Sequence, residues 1–134
     1  MEWFEEYVIG VEQIDAQHKG FFAFVNELAG MAGADAATVD EKMEFLKNYA
    51  LEHFDTEEVF MEAHGYPGLN EHAQMHVEFI RQYSDLVRAF RESDDPDQEL
   101  ARIKGLAQGW LVAHITKADK DYAKYVRKKS GEAG

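Results

Sequence analysis

Apolar residues recur along this chain at steps of three and four, the period of a helix buried on one face rather than the alternation of a strand. The first such stripe is Ile14, His18, Phe21, Val25 and Leu28. The second is Val39, Met43, Leu46, Ala50, His53, Glu57 and Phe60. A third runs Leu69, His72, His76, Phe79, Tyr83, Leu86 and Phe90, and a fourth Ile103, Ala107, Trp110, His114, Ala118 and Tyr122. Turn-forming residues separate them: 30–35 with two glycines, Gly65-Tyr-Pro-Gly68, and Ser93-Asp-Asp-Pro-Asp97. The pattern predicts helices over about 12–32, 38–64, 69–91 and 96–128, with Thr38 and Glu41 as a capping box opening the second. Long amphipathic helices on short turns predict an all-α fold, an up-down-up-down antiparallel four-helix bundle. One domain spans 1–134, with residues 1–11 as an N-terminal arm and 130–134 as a frayed tail.

The stripes carry polar residues where aliphatic ones belong. His18, His53, Glu57, His72, His76 and His114 lie on the faces that the apolar residues define. His53/Glu57 and His72/His76 are four apart, and residues three or four apart share a helix face. Burying such groups without partners costs several kcal/mol each, so a metal or a closed hydrogen-bond network must satisfy them. At about 1.5 Å of rise per residue they all fall in one half of rods some 30 Å or more long. Asp119 is the awkward member. Five residues after His114, it sits about 140° around an ideal helix, so it reaches sideways or the helix carries a local π-bulge.

Composition narrows the chemistry. There are 26 acidic against 14 basic residues, a formal net charge of −12, which disfavours nucleic acid and anionic membrane surfaces as partners. No cysteine is present, so thiolate sites and iron–sulfur clusters are excluded and any metal is held by imidazole and carboxylate. The first residues lack the basic and apolar regions of a secretion signal, and no apolar run reaches bilayer-spanning length, which predicts a cytoplasmic protein. Five imidazoles with two carboxylates argue against calcium, magnesium and copper(I), leaving zinc, iron, manganese and cobalt. Seven donors exceed what one tetrahedral zinc takes and suit two metals with bridging carboxylates.

Four stretches together resemble the hemerythrin family, in its single-domain bacterial form. They are Ile14-Asp-Ala-Gln-His18, His53-Phe-Asp-Thr-Glu57-Glu-Val-Phe-Met61, His72-Ala-Gln-Met-His76 and Trp110-Leu-Val-Ala-His114-Ile-Thr-Lys-Ala-Asp119. The likeness covers roughly residues 3–126. It implies a di-iron centre with an oxo or hydroxo bridge: His72, His76 and His114 on one iron, His18 and His53 on the other, Glu57 and Asp119 across both. Dioxygen would bind at the open position of the second iron, and small ligands such as azide or nitric oxide are further candidates. By matching positions, Phe21, Phe54, Trp110 and Leu111 would line the oxygen pocket and keep water out. Tyr122, one turn after Asp119, would donate to a ligand from behind.

Reversible dioxygen carriage, storage or delivery is therefore the expected function, without turnover. An oxidase, a peroxidase or a nitric oxide-handling enzyme is the alternative, and an oxygen or redox sensor a third. Asp15 is either a group of the first helical turn or a support for a ligand, and the two stand level. His64, beside the Gly65 break, is expected to interact with a helix C-terminus rather than with a metal. Lys124, Arg127, Lys128 and Lys129 are expected to complement the last helix end.

Overall fold

The structure is a computed structural model, and it describes residues 5–129. After a 3-10 turn at Glu5–Tyr7 come α1 (Glu12–Ala29), α2 (Ala36–Ala63), α3 (Leu69–Glu92) and α4 (Pro96–Ala113). A π-helical turn, His114–Asp119, then leads without a break into α5 (Lys120–Lys129), so that α4, the π-turn and α5 form one rod. α1 packs on α2, α2 on α3, α3 on α4 and α4 back on α1, which closes a four-membered bundle of alternating direction. No strand occurs among the described residues, and no helix among them is long and apolar enough to cross a membrane.

The helix ends follow from local chemistry, with three departures from the pattern. Asp95 accepts from Gln98 N at 3.2 Å and Pro96 opens α4, where its missing N–H costs nothing. α1 stops at Ala29 rather than near 32, because Gly30 closes it and Gly33 then takes φ +82°, a left-handed turn that a side chain resists. α2 starts at Ala36, two residues early, which leaves Thr38 inside the helix. No capping box forms: the Thr38 hydroxyl donates to Asp35 Oδ2 at 3.2 Å instead. The third departure is the π-turn. There the backbone N–H of Lys120 reaches back five residues to Ile115 O, and the Thr116 hydroxyl donates to Val112 O at 2.8 Å.

The arm is tied down where it is described. Tyr7 and Ile9 are buried, and Asp15 accepts from Ile9 N at 2.9 Å and Gly10 N at 3.1 Å. Arg127 donates to Ile9 O at 2.8 Å, which joins the arm to α5. Asp15 is thus a first-turn residue of α1 whose carboxylate fastens the arm. The expected beginning of the arm and the frayed tail at 130–134 lie outside the described residues. Apolar side chains fill one half of the bundle, with Val25, Leu28, Val39, Met43 and Ile103 all buried. The other half holds the buried histidines and carboxylates, among apolar side chains such as Ile14, Met61 and Ile115.

Candidate metal centre

All seven candidate donors turn inward, each between 0% and 6% exposed. α1 brings His18, α2 brings His53 and Glu57, α3 brings His72 and His76, and the π-turn brings His114 and Asp119. The extra residue in the π-turn resolves the angular mismatch of Asp119. Its Oδ1 lies 3.0 Å from His114 Nε2 on the same rod and 3.0 Å from His72 Nε2, while its Oδ2 lies 3.1 Å from His18 Nε2. A sideways reach from a regular helix is not needed.

Glu57 has the same divided position. Its Oε1 lies 2.9 Å from His53 Nε2 and 3.5 Å from His76 Nε2, and its Oε2 lies 3.8 Å from His72 Nε2. Donor atoms fall into two compact groups that share Glu57, one with His18 and His53 and one with His72, His76 and His114. Each carboxylate therefore faces both groups of histidines, as a bridging ligand would.

Several of the donor atoms also lack a hydrogen-bond partner. His18 Nε2, His72 Nε2, Glu57 Oε1 and both oxygens of Asp119 are buried without a hydrogen bond. Several lie within 3.1 Å of one another, yet not along hydrogen-bond directions. His76 Nε2 and His114 Nε2 face each other at 3.2 Å. Lone pairs that converge on common points, in a dry interior, fit cations of the kind that imidazole and carboxylate hold.

The electrostatics of the carboxyls and imidazoles reflect the same crowding. Burial and the charge of Asp119 push the Glu57 carboxyl up, but its contacts with His53 and His76 outweigh them and bring it below its usual range. Burial likewise opposes ionisation of Asp119, and His114, His18 and His72 hold it well below that range. Burial lowers His114. His76 is depressed by burial but raised overall by Glu57 and Glu58. Both carboxylates are thus charged at neutral pH.

Residues behind the inward-facing imidazoles and carboxylates complete the picture. Tyr122, expected there, donates to Glu57 Oε2 at 2.8 Å. Two more were not anticipated: Gln17, 2.7 Å from His53 Nδ1, and Glu58, 2.9 Å from His76 Nδ1. Each adjoins one candidate donor in the sequence but contacts a different one, so spacing along a single helix gave no signal. His64 stays apart, with its Nδ1 2.9 Å from Phe60 O at the end of α2. Lys129 donates to the His64 carbonyl at 2.9 Å.

Aromatic rings flank the donors. Phe54 stacks on His76, centroids 4.0 Å apart at 7°, and Trp110 stacks on His114 at 4.2 Å and 13°. Phe79, which the sequence marked only as core, touches Phe21, Phe54 and Trp110 at 6.2, 5.9 and 4.5 Å. Phe21 and Leu111 are buried.

The chain is similar to known proteins over nearly its whole length. The Hemerythrin HHE cation binding domain matches residues 9–126. The chain is 35% identical over 131 residues to a bacteriohemerythrin of Pseudomonas aeruginosa, covering 97% of this chain and 84% of that one. It is 30% identical over 119 residues to a bacteriohemerythrin of Methylococcus capsulatus, covering 87% and 88%. With a myohemerythrin of Theromyzon tessulatum it shares 28% over 121 residues, covering 90% and 89%. With inward-facing histidines and carboxylates on a four-helix bundle, and these relatives across nearly its whole length, the chain belongs to the hemerythrin family of oxygen-binding proteins.

Proposed function

We propose that the metal is a pair of irons and that the protein binds dioxygen reversibly, for carriage, storage or delivery, without turning over a substrate. The observation that carries this reading is the shared position of Glu57 and Asp119 between two groups of histidines. His72, His76 and His114 would hold one iron, and His18 and His53 the other. The second group has one imidazole fewer, which leaves room for a small ligand. An iron pair held there would supply the electrons that reversible dioxygen binding requires.

The chain's own residues do the rest. Glu57 and Asp119 offset the metal charge from within a dry interior, and Tyr122 holds Glu57 in place through its hydroxyl. Phe54 and Trp110 clamp His76 and His114 by ring stacking, so the imidazoles are oriented before a metal arrives. Phe21, Phe54, Trp110 and Leu111, with Phe79 among them, would exclude water and bulky reductants from the open side. Azide and nitric oxide are small enough to enter the same space. Open grooves flank the centre, one lined by Phe54, Glu58 and His76 and one by Trp110 and His114.

The test is metal analysis of protein produced with iron supplied, joined to an oxygen cycle. The reduced protein is exposed to oxygen and then returned to anaerobic conditions. Recovery of the reduced absorption spectrum supports carriage. Steady consumption of a reductant during the cycle supports an oxidase or peroxidase instead, and protein free of iron ends the reading.

A further inference from the structure

Two of the inward-facing imidazoles have their outer ring nitrogen held by groups of different charge. His53 Nδ1 meets Gln17 Oε1 at 2.7 Å, and His76 Nδ1 meets Glu58 Oε2 at 2.9 Å. Neighbouring residues fix the direction of the first contact. The Thr56 hydroxyl gives its single proton to Glu52 O at 3.0 Å, so toward Gln17 Nε2, at 3.3 Å, it only accepts. Gln17 therefore turns its amide nitrogen to Thr56 and its oxygen to His53. That oxygen cannot donate, so the proton lies on His53 Nδ1. The Tyr49 hydroxyl donates to the Gln17 main-chain carbonyl at 2.7 Å, which fixes the backbone from which the amide projects.

The second contact has only one direction, because an ionised carboxylate accepts and does not donate. Glu58 is half exposed, on a groove of about 290 Å³ between α2 and α3 that His76 also lines, so water solvates its charge. In both rings Nε2 is left to point its lone pair at the centre. The acceptors differ in strength. A carboxylate draws on the Nδ1 proton harder than an amide does, which makes the ring a better electron donor through Nε2.

We propose that Gln17 and Glu58 are positioning residues, and that an amide at one and a carboxylate at the other make the metal held by His76 easier to oxidise than the metal held by His53. This rests on the di-iron reading above. The two metal positions would differ not only in their number of imidazoles but also in how strongly those imidazoles are polarised. The histidine-rich side is then biased toward the oxidised state before any ligand enters.

Charge variants test the inference directly. In the iron-loaded protein Glu58→Gln should raise the midpoint potential and Gln17→Glu should lower it. A tenfold change in the preference for ferric over ferrous iron corresponds to about 59 mV for one electron. Zinc, which has no redox chemistry, reads positioning alone: Glu58→Ala and Gln17→Ala should each weaken zinc binding by about 10–100-fold. Glu58→Gln should restore most of that binding while still moving the potential. Potentials that stay put, or move in the same sense in both charge variants, overturn the proposal, as does wild-type zinc affinity in both alanine variants. If the wild type takes up no iron, the functional reading fails, while the zinc titrations still decide whether Gln17 and Glu58 position their histidines.

Discussion

Tyr122 donates its hydroxyl proton to Glu57 Oε2 across 2.8 Å, joining the last turns of the fourth rod to the C-terminal part of the second inside the bundle. Both side chains are fully buried. Burial, with the charges of Glu57 and Asp119, pushes the Tyr122 phenol well above its ordinary pKa, so it acts only as a donor. A hydrogen bond to a charged group is worth about 1.5–3 kcal/mol. Tyr122→Phe should lower stability by an amount in that range and weaken metal binding by about tenfold, as is common for partners of metal ligands. Urea titration and a metal-affinity titration check both; wild-type values in each would remove Tyr122 from the site.

His76 offers a sharper case, since it faces Glu57, Glu58, His114 and the Phe54 ring at once. His76→Ala should lower the iron bound per chain. The gain in melting temperature on loading should shrink with it, because metal binding is linked to folding. Iron content by elemental analysis and thermal melts with and without iron measure the two effects. Full iron and an unchanged melt would count against the assignment of the centre.

Leu111, buried in the fourth rod just before the π-turn, is expected to keep water from the open side. Leu111→Ala should leave iron in place and cost about 2–5 kcal/mol of stability through the cavity it creates. It should also speed autoxidation of the oxygenated protein. An autoxidation rate equal to that of the wild type would take Leu111 out of the pocket.

Alkaline pH provides a test away from the metal. Tyr83 is buried and donates to Met43 O at 2.8 Å; burial, then the charge of Glu44, raises its pKa. A folded pKa above the unfolded one gives stability that is complete below the unfolded value, near 10, and lost as pH rises toward the folded value. Other buried tyrosines contribute in the same sense, so the difference between wild type and Tyr83→Phe isolates this one. At neutral pH the variant should be less stable by about 1 kcal/mol, the net value of a neutral hydrogen bond. Above about pH 10 its stability should fall less steeply than that of the wild type. Parallel slopes in urea titrations across that range would contradict the burial of Tyr83 as an un-ionised phenol.

The apolar stripes identified four rods and their order because helical period is a local property. Neighbouring turns of Ile14, Phe21 and Leu28, or of Val39, Met43 and Leu46, must share a face whatever else the chain does. Histidines on those same stripes were legible for the same reason, and all of them are buried where the stripe put them. Helix ends were less legible. Thr38 and Glu41 have the spacing of a capping box, but Asp35 and the preceding turn set where α2 begins.

What no single-helix pattern could decide lies between rods. Gln17 adjoins His18 yet serves His53, and Glu58 adjoins Glu57 yet serves His76, because their partners are set by distances across helix interfaces. Half-exposed polar residues of this kind have the same signature in sequence as a solvated surface. Asp15 looked equally like a helix-end group or a support for a ligand until the arm's amides were seen on its carboxylate. The π-turn belongs here too: the sequence required that Asp119 reach the centre, and only the packing of the fourth rod chose a wider turn over a sideways reach. The sequence by itself determined which groups were too polar to be buried alone. Tertiary structure decided which atoms meet, since convergence depends on the separation and rotation of rods that local periodicity leaves free.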